Sequence, residues 1–137
     1  MITPSNRRRS FFRWAVGWAI GLWILAAALP ARAEIATEHF RFVPDGGSQG
    51  LAGNLSEIAE DKRRYVLGLL GVRDERIIEV RVASDDAAMA RMIGTERHIS
   101  EWIAGVAISS KNRIVMSARG NEVFRAFDTF VHELAHI

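Results

Sequence analysis

His132, Glu133 and His136 fall in the closing run "DTFVHELAHI", residues 128–137, in the spacing H-E-x-x-H. Two histidines four residues apart on a helix project from one face, one turn apart. Their ring nitrogens can then reach a single Zn2+ at about 2 Å. A carboxylate directly after the first histidine lies close to such a metal and can hydrogen-bond a water on it. The metal draws the pKa of that water toward about 7, so a carboxylate can take its proton at neutral pH. The expected chemistry is hydrolytic: hydroxide attacks a polarised carbonyl, and Glu133 passes the proton to the leaving amine.

The motif needs a helix beneath it. Phe124, Phe127, Val131, Leu134 and Ala135 recur at 3- and 4-residue spacing, which predicts a helix from about Glu122 with these residues on its buried face. Asp128, four residues before His132, shares its face and could orient that imidazole. It also suits the early turns of a helix as an acid alone. A zinc enzyme needs a third protein ligand, and His39 and His98 are the other two histidines of the chain. Each also reads as an ordinary strand or loop residue. Tyr65, the single tyrosine, sits in a helical apolar region and is expected to pack rather than react.

Upstream, residues 34–42 suit a first strand and "PDGGSQG" (44–50) a turn. Leu51, Leu55, Ile58, Ala59, Val66, Leu69 and Leu70 mark one face of a helix over 51–70, and Gly71 stands where it should stop. Residues 77–83 form a strand pattern. Ser84 is placed to cap a short helix over 85–93. Residues 102–108 and 113–118 read as two strands joined by the turn "SSKN". Strand, helix, strand, short helix, hairpin, helix is the order of an α/β (or α+β) domain with one mixed sheet.

The H-E-x-x-H helix, preceded by "WIAGVA" (102–107) and "RIVMSA" (113–118), resembles the zincin metallopeptidases, in particular the N-terminal lobe of a gluzincin-like peptidase MA domain. The resemblance implies Zn2+ held by His132 and His136, and Glu133 as general base. It also implies an edge strand before the active-site helix that binds an extended peptide or protein substrate by strand addition. That role falls on Arg113, Ile114, Val115, Met116, Ser117 and Ala118, with the "WIAGVA" strand beside them. Gluzincins take a third ligand, a Glu, from a later helix, and metzincins need a further His six residues after the second. Neither is present, so residues 34–137 are expected to form an incomplete domain whose C-terminal lobe is missing. A non-catalytic binding or interaction module that keeps such a lobe is the alternative.

Composition narrows the field further. The chain has no cysteine, which removes thiolate ligands and nucleophiles, and with them the peptide deformylase arrangement. Five of its eighteen basic residues lie in 1–33, where there is no acid. The rest keeps thirteen basic residues against sixteen acidic, with no basic face for nucleic acid. Arg7, Arg8, Arg9 and Arg13 followed by an apolar stretch over 14–29, Pro30 and Ala31-Arg32-Ala33 read as an export signal, with a mature start at Glu34. The chain is thus expected to be periplasmic or secreted, or membrane-anchored if the signal stays uncleaved. "RRSFFR" resembles the twin-arginine export motif. The helix carrying His132 also holds Glu122, Arg125 and Asp128, which excludes a membrane-spanning site.

Overall fold

A computed structural model describes residues 33–95, 99–100, 103–119 and 123–137. The export signal and His98 lie outside these residues. The first predicted strand is two. β1 (Ile35–Ala36) and β2 (Phe40–Pro44) pair antiparallel around the polar trio Thr37, Glu38 and His39. Then come α1 (Gln49–Leu70), β3 (Ile78–Ala83), α2 (Asp86–Ile93), β4 (Gly105–Ile108), β5 (Arg113–Ser117) and α3 (Val123–Leu134). The five strands form one mixed sheet in the order β1-β2-β3-β5-β4. β2, β3 and β5 run parallel, while β1 and β4 run antiparallel at the two edges. The fold is α/β, as the sequence predicts.

Alternation along the strands sorts the sheet into two faces. Phe40, Phe42, Ile78, Val80, Val82, Ile114 and Met116 point to one side and are buried beneath α1 and α3. Helix α1 contributes Ala52, Leu55, Ala59 and Val66 at 3- and 4-residue spacing. It ends at Gly71, whose φ of 67° lets its N–H bond back to the Leu67 carbonyl. The opposite face packs Ala83 and Val115 against α2. Asp85, rather than Ser84, caps α2: its carboxylate accepts from the Ala88 N–H at 2.7 Å. Beyond α2 this face is polar. Glu79 stands between its strand partners Arg41 and Arg113 and pairs with both, and with Arg81.

Two expectations about side chains change. Phe124 is 83% exposed, whereas Phe130 is fully buried against Phe40 and Phe42, with ring centroids 5.7 and 6.4 Å away. The buried stripe of α3 is therefore rotated from the predicted one. Tyr65 and Leu69 are exposed rather than packed. The turn between β4 and β5 is a short 3-10 segment, Ser109–Lys111, closed by Asn112 at a left-handed φ of 46°.

Candidate active site

α3 lies across β4 and β5 with Phe130 and Leu134 turned into the core. This fixes the helix about its axis and leaves His132 exposed on its other side; α3 ends at Leu134, so His136 sits in the turn just beyond it, exposed as well. Their Nε2 atoms stand 3.2 Å apart. Two ligands each about 2.0–2.1 Å from a tetrahedral zinc are roughly 3.3 Å apart. The pair therefore fits two corners of such a site, and it does so with both rings edge-to-face at a centroid distance of 4.8 Å.

Glu133 turns the other way, toward the sheet. Its Oε2 accepts the Ala107 N–H at 2.8 Å. The register shows which edge this is. Ser117 N–H donates to the Ala104 carbonyl, so residues 104, 106 and 108 direct their backbone groups at β5. Gly105 and Ala107 therefore direct theirs away from the sheet. Glu133 thus reaches round to the outer rim of β4 and holds one of its outward N–H groups.

Gly105 permits this approach. A Cβ there would stand 2.7 Å from Thr129 Cγ2 and 2.9 Å from Glu133 Cγ. Ile103, Ala104, Gly105, Thr129, His132 and Glu133 enclose an open cleft of about 330 Å3 along the rim. Gly105 and Ala107 fall in the "WIAGVA" segment that the resemblance sets beside the substrate strand, but the sequence marks neither individually, nor Thr129. The signal available was a glycine inside a strand pattern, which often marks close backbone approach.

The expected substrate edge, Arg113 to Ala118, is not an edge. β5 is hydrogen-bonded to β3 on one side and β4 on the other, and Ile114, Val115, Met116 and Ser117 are buried. Its backbone groups are already spent in two ladders, so it cannot accept a further strand. The edge of the predicted hairpin is β4.

His39, the one upstream histidine among the described residues, does not join the pair. His39 lies in the β1–β2 turn, where Nδ1 meets Glu60 Oε2 at 2.9 Å and Nε2 meets Glu75 Oε2 at 3.4 Å. Glu38, His39 and Glu60 do bring ligand atoms within 4.8 Å of one another, but they form a separate group. Among the described residues, no third imidazole or carboxylate completes such a group with His132 and His136. Asp128 is exposed and makes no hydrogen bond to His132 among these residues.

Comparison with known proteins finds no matching family model, no similar curated protein and no similar solved structure. The zincin resemblance therefore rests on the motif and its setting.

The end of the site is tied down. The Ser109 hydroxyl donates to the His136 carbonyl at 2.6 Å, and Arg76 Nη2 donates to the Ile137 carbonyl at 3.2 Å. The His136 and Ile137 carbonyls, just beyond α3, thus gain partners from the β4–β5 turn and from the residues before β3.

Proposed function

We propose that α3 and β4 form the metal-holding and proton-transferring half of a zinc-dependent peptide-hydrolase site. The observation that carries this is the approach of the two Nε2 atoms to 3.2 Å, with Glu133 on the same helix holding the outer edge of β4. Zinc, held by His132 and His136, would supply Lewis acidity toward a carbonyl oxygen and a water acidic enough to deprotonate near neutral pH. The chain supplies the rest. Gly105 and Ala107 offer outward backbone groups to an extended peptide, which would lie along β4 as an added strand. Glu133 is within reach of that rim. To act as base its carboxylate leaves the Ala107 N–H, which then becomes available to the substrate backbone. One side chain thereby exchanges places with the substrate. The resemblance implies a third ligand, a Glu, beside the two histidines; among the described residues no carboxylate takes that place. The basic-then-apolar segment before Glu34 supports an exported enzyme.

Two imidazoles without a third protein ligand within 4.8 Å among the described residues also favour a second reading. In it, the lobe binds peptides at β4 without hydrolysing them. Calorimetric zinc titration of the full chain, with a peptide-cleavage assay, tests both. One-to-one zinc binding that His132→Ala and His136→Ala each weaken at least tenfold, and His39→Ala leaves intact, supports the zinc site. Zinc binding indifferent to His132 and His136 refutes it. Cleavage that requires Glu133 rules out the second reading.

A further inference from the structure

On the far side of α1 from its N-terminus, a second cleft of about 310 Å3 opens between α1, the loop into β3 and the end of α3. One part of its wall is apolar, with Val66, Leu70, Val72 and Leu134, and the rest is charged. Leu70 and Val72 keep 54% and 51% of their surface exposed, so this is an apolar wall still facing water.

Arg63 lines the same cleft and is only 8% exposed. Its Nη2 is shielded from solvent and has no hydrogen-bond partner among the described residues. A guanidinium is fully charged at any physiological pH, and burying one of its donors unpaired is costly. The nearby acid is already engaged. Asp74 is gripped by Arg76, with Nε 2.9 Å from Oδ1 and Nη2 2.8 Å from Oδ2. Arg63 acts on it only through space. Arg73 adds a third guanidinium to the lining. The cleft therefore combines an apolar wall, an engaged acid and a buried cationic donor without an acceptor.

We propose that this cleft binds a small amphipathic monocarboxylate, with its carboxylate on Arg63 and its aliphatic stem against Val66, Leu70 and Leu134. A guanidinium fork matches a carboxylate in shape as well as charge. The volume lies at the small end of the range for ligand sites, which suits a medium-chain acid. The site shares no residue with His132, Glu133 and His136, so it stands or falls independently of the zinc reading.

Octanoate serves as the probe. Titrated into the full chain by calorimetry, it should bind saturably at one site. Octanol, which keeps the stem and lacks the charge, should bind at least tenfold more weakly. Arg63→Met should weaken octanoate binding at least tenfold, while Arg64→Ala, an exposed neighbour paired with Asp61, should leave it unchanged. Lack of saturable octanoate binding overturns the proposal, as does equal binding of octanol or unchanged binding by Arg63→Met. If Arg63→Met fails to fold, the octanoate–octanol comparison on the unaltered chain still decides.

Discussion

Gly105 passes so close to Thr129 that a single methyl group on it would come within 2.7 Å of Thr129 Cγ2. The contact sets how near α3 rides to β4, and hence whether Glu133 can reach Ala107. Glu133 Cγ, at 2.9 Å, blocks the same position from the other side. Gly105→Ala is therefore expected to push helix and strand apart and cost about 1–3 kcal/mol. Gly46→Ala, where an added methyl meets nothing within 4 Å, should stay within about 0.5 kcal/mol of the parent. Urea midpoints of the two variants check the contrast; equal midpoints would remove the packing argument.

Phe130 anchors the site from below. It is fully buried against Phe40 and Phe42, and no polar group tethers it. Phe130→Ala should cost about 3–5 kcal/mol, the usual range for emptying a buried aromatic position. Because the same ring fixes the rotation of α3, zinc affinity should fall as well, although Phe130 is no ligand. A destabilised variant with undiminished zinc affinity would show that the histidine pair does not depend on this anchor.

Glu133→Gln separates chemistry from structure. The amide oxygen can still accept from Ala107, so stability should change by less than about 1 kcal/mol. Zinc binding should be retained. If the chain hydrolyses peptides as proposed, that activity should drop at least about a hundredfold, the scale expected for loss of a general base. Glu133→Ala should share that loss and additionally destabilise by about 1 kcal/mol. Hydrolysis surviving in the Gln variant would remove Glu133 from the mechanism.

The β1–β2 turn should make stability depend on pH at both ends. The hydrogen bond that the His39 ring donates to the Glu60 carboxylate raises the His39 pKa above its usual 6.5; partial burial and Arg63 oppose this, and Glu75 adds to it. Burial pushes the Glu60 carboxyl up, but the Thr37 hydroxyl and the His39 N–H and ring outweigh it and leave it below 4.5. The His39 contribution is then full below pH 6.5 and fades as pH rises through its raised value. The Glu60 contribution is full above pH 4.5 and fades as pH falls through its lowered value. Stability from this cluster should plateau between the two. Glu60→Gln should flatten both limbs in urea unfolding followed across pH, whereas an unchanged profile would place the dependence elsewhere.

Much of this architecture could be read from particular residues. The 3- and 4-residue spacing through Leu55, Ala59 and Val66, with Gly71 after it, located α1 because local periodicity and a left-handed stop are properties of the segment itself. The H-E-x-x-H helix was legible for the same reason. Strand order was not, because neighbours in a sheet are chosen by tertiary packing. The continuous apolar run "IVM" in β5, the pattern of a strand covered on both faces, is a signal that the edge role expected of 113–118 passed over. In α3 the aromatics wrap most of the helix, so spacing alone did not decide between Phe124 and Phe130. The Gly105–Thr129 contact joins residues that only the fold brings together.

Glu133 has a further consequence for the chain in solution. An uncovered strand edge is a template on which a second copy can pair, and such pairing is how folded proteins begin to aggregate. β4 is only four residues long, and Glu133 lays a carboxylate on one of its outward N–H groups. This side chain puts charge on the rim where a neighbouring molecule would otherwise dock. Replacing it with an apolar residue therefore risks solubility, independently of any proposed role in hydrolysis.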